Sequence, residues 1–456
     1  MTHQDRSAEA ETFLVAHPEI EFFELLVPDQ LGIPRGKRVN RDGLVSAYRQ
    51  GMNLPGSLFA LDVTGSNVDA SGLVWEEGDA DRVCFPVAGT LVPVPWAPRP
   101  TGQVLMTMFE HDGRPFFADP RQVLAGVLAR FSALGLKPVI AMEFEFYLLD
   151  RSRGPRGEPI LARVPRTGRP QSQNQVYSLD DLKDFDTVLH AMEEACRAQD
   201  IPSDTATAEY APGQFEINLH HIDDALKAAD YGIMFKNAIK GVADQHGFEA
   251  TFMAKPFLEH AGNGLHVHLS VLDSEGRNIF QGDDPLGSPA LKHAIGGLSA
   301  TMNDFMAVFA PNANSYRRFQ AGSYAPLAPS WGRNNRTVSL RIPASSLEAT
   351  RVEHRVGGSD ANPYLVAAAV LAGVHYGLAN KIDPGPPTEG NAYDKHRPSL
   401  SDYWELALEV FSRSEVARTY FGESFRHVFT ACRMQELKSF EAIITPLEWE
   451  WYLRLS

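Results

Sequence analysis

Cysteine is scarce in this chain: 456 residues carry three, Cys84, Cys196 and Cys432, scattered and with no CxxC spacing. A disulfide framework and a thiolate zinc site are excluded on that ground, and a reducing cytoplasm is the expected setting. Long apolar runs are also missing. The longest, PYLVAAAVLAGVHYGLA (Pro363 to Ala379), carries a histidine and falls short of a membrane span, so it reads as a buried helix and no membrane partner is expected. The N-terminal stretch MTHQDRSAEAE is polar and has no signal-peptide core. Positive charge is in deficit, 42 Lys and Arg against 57 Asp and Glu, for a formal net charge of −15. Phosphate backbones want a basic surface, so nucleic acid is not the expected partner. No GxxxxGK[ST] loop is present, so any nucleotide phosphates must be held by something other than a glycine-rich helix start.

What remains is an ordinary globular composition, 44% hydrophobic and 22% charged, on a chain long enough for two or three domains. The first hundred residues show short runs of β-formers, EFFELLV (Glu21 to Val27), RVCFPVAGTLVPV (Arg82 to Val94) and QVLMTMF (Gln103 to Phe109), punctuated by Gly and Pro. They predict a small, mainly β domain over residues 15–113. At FADPRQVLAGVLARFSALG the pattern changes: Asp119 is a helix N-cap, Pro120 the first helical residue and Gly135 the stop. Helices are expected near 179–199, 223–246, 288–309, 361–381 and 401–420. Strands are expected near 213–219, 249–254, 265–271, 336–342 and 351–356. This predicts a second, larger α/β or α+β domain over 114–456. The Gly/Pro/Arg-rich segment 151–175 reads as a surface loop.

The unusual stretch is AMEFEFYLLD (Ala141 to Asp150), which plants Glu143 and Glu145 in an apolar strand. Residues two apart in a strand share a face, so the two charges point together and repel. Either one carboxyl keeps its proton or a cation sits between them. Later segments repeat the device. TAEYAPGQFEINL carries Glu209 and Glu216 around a Pro-Gly turn; NGLHVHLS carries His266, His268 and Ser270 at period two; TRVEHRVGG carries Arg351, Glu353 and Arg355. Arg317, Arg318, Arg333, Arg336 and Arg341 follow in a further arginine-rich stretch. Five glutamates, at least one histidine and a ring of arginines on inward-facing strand positions suit Mg²⁺ or Mn²⁺ beside a polyphosphate. Taken singly, a histidine in a core or an arginine in a surface ion pair explains each residue equally well.

Over nearly its whole length the sequence resembles the bacterial-type glutamine synthetase family. The resemblance rests on EFEFYL, PGQFEINL, FMAKPF…GNGLHVHLS, NSYRRF, NNRTVSLRIP and RVEHRVGGSDANPY. It is nearest to the subgroup that joins glutamate to an organic amine, the γ-glutamylputrescine and γ-glutamyl-monoamide synthetases. It implies an α+β fold, a β-grasp-like N-terminal domain and a catalytic domain whose antiparallel strands form a half-barrel funnel flanked by helices. It also implies active sites between subunits of a homo-dodecamer of two hexameric rings, with ATP, L-glutamate and an amine as partners and two or three Mg²⁺ or Mn²⁺ per site. Carried over by motif, Glu145, Glu209 and Glu216 would hold one metal, and Glu143, His266 and Glu353 the second. Arg318 and Arg355, with Gly262 nearby, would grip glutamate. His268, Ser270 and Arg351 would contact ATP; Arg336 and Arg341 would steady the phosphates. Arg336, Glu209 and Tyr324 are the residues assigned to catalysis.

The departures bear on substrate. Ammonia-using members read G-Y-E-A-P after the SYxR motif, with the glutamate at the ammonium site. Here GSYAP places Tyr324 in that position. A phenol has a pKa of about 10, is neutral at pH 7 and cannot act as that carboxylate. Its ring and hydroxyl suit an alkylammonium. A second expected carboxylate motif, F-D-G-S-S, is absent; the chain reads LPGSLFALDVTG there. The sequence therefore implies an ATP-dependent glutamate–amine ligase, with putrescine or a small alkylamine as the nucleophile. The alternatives are a true glutamine synthetase using ammonium and a non-enzymatic relative. Tyr393, in GNAYD, resembles a position that some members nucleotidylate, and is read here as a loop tyrosine.

Overall fold

The computed structural model describes residues 7–76, 78–171 and 173–455, so residues 1–6 of the polar N-terminal stretch lie outside the described residues. The N-terminal part runs α1 (Ala8–Ala16), β1 (Phe22–Pro28), β2 (Pro34–Asn40), α2 (Arg41–Gln50), β3 (Met52–Pro55), β4 (Asp81–Pro86), β5 (Val92–Pro93) and β6 (Thr101–Phe109). These strands form one sheet in the order β2-β1-β6-β4-β3, with β5 added on β6. The three runs of β-formers are strands of this sheet. The central β6 is buried almost throughout, which is why it reads as a continuous apolar run. The unread elements have local causes. Strand β2 (PRGKRVN) is an exposed edge, so it carries charge instead of alternation. Helix α2 is short but capped: Asn40 accepts from Gly43 N at 2.8 Å. The apolar cluster of this part begins at Ala10 of α1 and takes in Val428 and Cys432 from a distant helix.

The remainder runs α3 (Pro120–Ala133), β7 (Lys137–Arg153), β8 (Pro159–Leu161), α4 (Leu179–Asp184), α5 (Asp186–Ala198), β9 (Thr207–Ala208), β10 (Gln214–Asn218), α6 (Ala225–Gln245), β11 (Phe248–Thr251) and β12 (Leu265–Leu272). It continues with α7 (Pro289–Thr301), α8 (Met306–Phe309), β13 (Trp331–Arg333), β14 (Leu340–Ile342), β15 (Val352–His354), α9 (Pro363–Asn380), α10 (Ala392–Lys395), α11 (Trp404–Arg413), α12 (Glu415–Phe421), α13 (Glu423–Glu441) and α14 (Pro446–Tyr452). The second sheet is ordered β13-β14-β15-β12-β7-β10-β9, with β8 and β11 also on β7. All its pairs are antiparallel except β13 with β14. Asp119 caps α3 by accepting from Arg121 N at 2.8 Å, Pro120 opens the helix, and Gly135 turns at φ +67° just after it. Helix α9 is buried over most of its length, as its apolar run requires.

Three expected helices are interrupted. The 179–199 helix breaks at Phe185, which anchors in the core. The 288–309 helix ends at Thr301 and resumes as a 3₁₀ turn and α8. The 401–420 helix breaks at Ser414, whose hydroxyl caps the next helix by accepting from Ala417 N at 2.9 Å. The strand expected from 336 begins only at Leu340, because Asn335 folds an Asx turn onto Thr337 N at 2.9 Å. The 151–175 segment is partly strand: β7 extends to Arg153 and β8 pairs back on it. Among the described residues the three cysteines are buried and free, and no helix is long and apolar enough to cross a membrane.

Candidate active site

Register places the functional side chains. Strand β7 sets Glu143 and Glu145 on one face. Opposite Glu145 on β10 stands Glu216; opposite Glu143 on β12 stands His266. One step along, His268 stands opposite Glu353 of β15, and Arg341 of β14 opposite Glu353 again. Period-two spacing on neighbouring strands thus becomes a single polar patch. Glu209 joins it from just beyond β9, carried round a turn that Gly213 permits at φ +69°.

Ligand atoms of Glu145, Glu209 and Glu216 lie within 4.8 Å of one another; the same holds for Glu143, Glu216 and His266, and for Glu143, His268 and Glu353. Both oxygens of Glu143 face imidazoles: His266 Nδ1 at 2.9 Å and His268 Nε2 at 2.5 Å. Because Arg351 Nε donates to His268 Nδ1 at 3.1 Å, the His268 proton sits on Nε2 and is given to Glu143. The structure therefore draws His268, expected at ATP, into contact with the carboxylates. His266 Nδ1 also lies 3.7 Å from Glu353 Oε1.

The charge balance is uneven. Burial raises the Glu145 carboxyl, and Glu209 adds to it. Burial likewise raises Glu216, with Glu143, Glu145 and Glu209 pushing further, and raises Glu209. Glu143 goes the other way: burial opposes, but His266 and His268 hold it low. Glu353 is 1% exposed; burial works against its charge, yet Arg355, His266 and His268 bring it down to about 2. Three half-buried carboxyls that repel one another, with hard oxygen donors and an imidazole alongside, fit a divalent cation of the Mg²⁺ or Mn²⁺ type. They do not resemble a satisfied structural ion pair.

The arginines take different places from those expected of a ring on strands. Arg341 lies on β14 and donates from Nη1 to Glu353 Oε2 at 2.9 Å. Arg355 also pairs with Glu353 and keeps a buried Nε without a partner. Arg318 sits on a 3₁₀ turn, Ser315–Arg318, and its Nη1 and Nη2 donate to the carbonyls of Arg355, Val356 and Gly357 at 2.9–3.3 Å. A grip on a substrate carboxylate requires exchanging some of those bonds. Arg336 is exposed in the turn before β14, and its charge reaches Glu209. Arg317 and Arg333 are exposed.

Gly262 has a steric reason: a Cβ there would sit 2.6 Å from both Ala254 O and Arg318 Cγ. Its carbonyl accepts from Gln214 Nε2 at 3.0 Å. Ser270 shares the β12 face with His266 and His268. Tyr324 is 56% exposed and left-handed, φ +59°, in a turn after Gly322. Tyr393 is on the short helix α10, not in a loop, and its hydroxyl donates to Ala325 O at 2.8 Å.

Residues not read from sequence complete the patch. Asn218 stands opposite Glu143 and donates to Glu216 Oε1 at 3.3 Å. His221 presents its ring edge to His268, centroids 5.9 Å apart, and burial lowers its pKa to about 4, with His268 and Arg351 adding to the shift. Period two would have chosen His220, but β10 ends at Asn218 and His220 turns out to Asp204, 2.8 Å away. The HH doublet was the available signal.

Carboxylates and imidazoles on one sheet face, with arginines beside them, form groups that could hold a divalent cation. The glutamine synthetase catalytic-domain family matches residues 117–452, and the chain belongs to the glutamine synthetase family, with that family's α+β fold and ligase class. It is 43% identical to gamma-glutamylputrescine synthetase PuuA of Escherichia coli (strain K12), covering 98% of this chain and 94% of that protein. It is 35% identical to a glutamate–isopropylamine ligase of Pseudomonas sp, covering 97% and 96%. The solved structure described as apo GmaS without ligand superposes with a TM-score of 0.84 at 30% identity, covering 98% of this chain and 100% of that one.

Proposed function

We propose that this enzyme joins the γ-carboxylate of glutamate to a primary amine at the expense of ATP. The γ-carboxylate oxygen attacks the terminal phosphorus of ATP and ADP departs. The amine, having lost one proton from its ammonium form, attacks the acyl phosphate carbon, phosphate leaves, and the nitrogen gives up one further proton and keeps one. The product is a γ-glutamylamide. Glu145, Glu209 and Glu216 would hold one divalent ion. Glu143, His266 and Glu353 would hold the other, with His266 Nδ1 2.9 Å from Glu143 and 3.7 Å from Glu353 and His268 within reach. Bound Mg²⁺ or Mn²⁺ would neutralise phosphate charge and align the transfer. Arg336 and Arg341 offset charge that develops on the phosphoryl group, His268, Ser270 and Arg351 face ATP, and Arg318 and Arg355 orient glutamate beside Gly262. In this reading 15–113 is the N-terminal unit and 114–456 the catalytic one. Copies assemble as a dodecamer in the cytoplasm, where the exposed apolar helix α14 supplies one contact.

The observation that carries the amine reading is Tyr324, an exposed aromatic residue at the position where the family resemblance implies a glutamate in ammonium-using members. The named activities of the relatives, on putrescine and on isopropylamine, support it. The test is phosphate release from ATP with glutamate and, in turn, ammonium, methylamine, ethanolamine, isopropylamine and putrescine. At least one primary amine should exceed ammonium in kcat/KM by about tenfold or more. Turnover with ammonium alone would restore the true glutamine synthetase, and no ATP turnover with any of them the non-enzymatic relative.

A further inference from the structure

Tyr324 is held in a conformation that a tyrosine seldom adopts, and the structure shows little packing to hold it there. The turn from Gln320 to Pro326 contains two left-handed residues, Gly322 at φ +79° and Tyr324 at φ +59°. Glycine takes that geometry freely; a residue with a Cβ keeps it only when its surroundings impose it. Beside the turn, touching it only at Ala321, lies a cavity of about 90 Å³ that Leu327, Ala328, Thr337, Tyr393 and His396 also line. Ala325 and Pro326 are buried, while Gly322 and Tyr324 are exposed, so the exposed part of the turn depends on hydrogen bonds for its position. On the near side Ser323 Oγ donates to Gln320 O at 2.7 Å. On the far side Tyr393 Oη donates to Ala325 O at 2.8 Å, one residue beyond Tyr324.

The support on which Tyr393 stands is fixed. Ala392 N, beside it on α10, donates to Thr337 Oγ1 at 2.9 Å, and Thr337 is bound in turn to Asn335 Oδ1 at 2.7 Å. Asn335 Nδ2 reaches Gly390 O at 2.8 Å. Helix α10 is thereby tied to the same turn that carries Arg336. Burial raises the Tyr393 hydroxyl pKa, and Ser323, Arg355 and Arg318 only partly oppose it, so the group stays a donor.

We propose that the Tyr393 hydroxyl is a positioning group for the amine: it pins the 322–326 turn so that Tyr324 stands at the amine's approach. The inference rests on the amine-ligase reading above. It predicts a dependence confined to one substrate, because the turn bonds to Arg318 only at its backbone carbonyl, while the Arg318 and Arg355 guanidinium groups are held by Val356, Gly357 and Glu353. Tyr393→Phe removes the donor and leaves the ring. Its KM for the best amine of the wild-type panel should rise about fivefold, while KM for glutamate and for ATP and kcat at saturating amine stay within about twofold. The effect should run through Tyr324. In a Tyr324→Gly background, where the strained backbone is relieved and the ring is gone, adding Tyr393→Phe should leave the amine KM within about twofold of the single variant.

Unchanged amine KM in Tyr393→Phe overturns the inference and leaves the ligase reading intact. So does a parallel rise in all three KM values with a lowered Tm, which is the signature of a merely structural tyrosine. An undiminished effect of Tyr393→Phe in the Tyr324→Gly background overturns the route through Tyr324. Wild-type turnover with ammonium alone removes the ligase reading and this inference together.

Discussion

Glu145 and Glu216 face each other across β7 and β10, two half-buried carboxyls with Glu209 within ligand distance of both. All three carboxyls are raised by burial, and Glu145 and Glu216 further by their neighbouring glutamates. The metal-free folded state therefore binds more protons than the unfolded chain. Stability from those protonated carboxyls is complete below the ordinary carboxylate pKa and is lost as pH rises through the raised values. A divalent ion takes the place of the protons, and its binding must release them. The Tm gain from Mg²⁺ should grow between about pH 6 and about pH 9. Calorimetric titration in buffers of different ionisation enthalpy should show proton release. Glu216→Gln mimics the protonated carboxyl at every pH: the metal-free Tm should hold or rise, the Mg²⁺-dependent gain should shrink, and turnover should fall roughly 100-fold or more.

Glu353 behaves oppositely, and the contrast separates the two halves of the site. It is paired with Arg341 and Arg355, both well buried, and its carboxyl lies at about 2. A depressed carboxyl contributes stability that is present above the unfolded pKa and is lost as pH falls through the folded one, here between about pH 4.5 and pH 2. Glu353→Ala leaves the Arg355 guanidinium buried without its carboxylate partner. Breaking a buried pair in this way costs about 3–5 kcal/mol. Urea unfolding without metal should show that loss for Glu353→Ala and no loss for Glu216→Gln. Equal stability of the two variants would mean that Glu353 is not held by its arginines.

The site was legible where chemistry and strand period coincide. Glu143, Glu145, Glu216, His266, His268 and Glu353 are in strands, and period two alone places them on shared faces. The residues that depart from the strand reading, Glu209, Arg318 and Arg336, lie in turns, where side-chain direction follows from local dihedrals that a one-letter pattern does not carry. His221 escaped for the same reason, since the strand ends before it. In the fold, capped and apolar elements such as α3 and α9 were plain. The charged elements β2 and α14 were not, because a polar edge strand and an exposed helix lack the period that burial imposes.

Helix α14 carries the last prediction. A capping box closes its start: Thr445 N donates to Glu448 Oε2 at 2.6 Å, and the Thr445 hydroxyl to the same oxygen at 2.9 Å. Local bonds thus preform the helix although none of its residues is buried. Around it Ile443, Ile444, Trp449, Trp451, Leu453 and Leu455 are each more than half exposed. An apolar patch of this density marks a contact surface, and a second copy of the chain is the occupant that the proposed ring assembly supplies. Replacing Trp449, Trp451 and Leu453 together with serine should leave the subunit folded, because the patch adds nothing to its own core. Light scattering coupled to gel filtration should show a species smaller than that of the parent protein. Turnover should fall with it if the active sites need neighbouring copies to be complete. An unchanged mass would place the assembly contacts elsewhere.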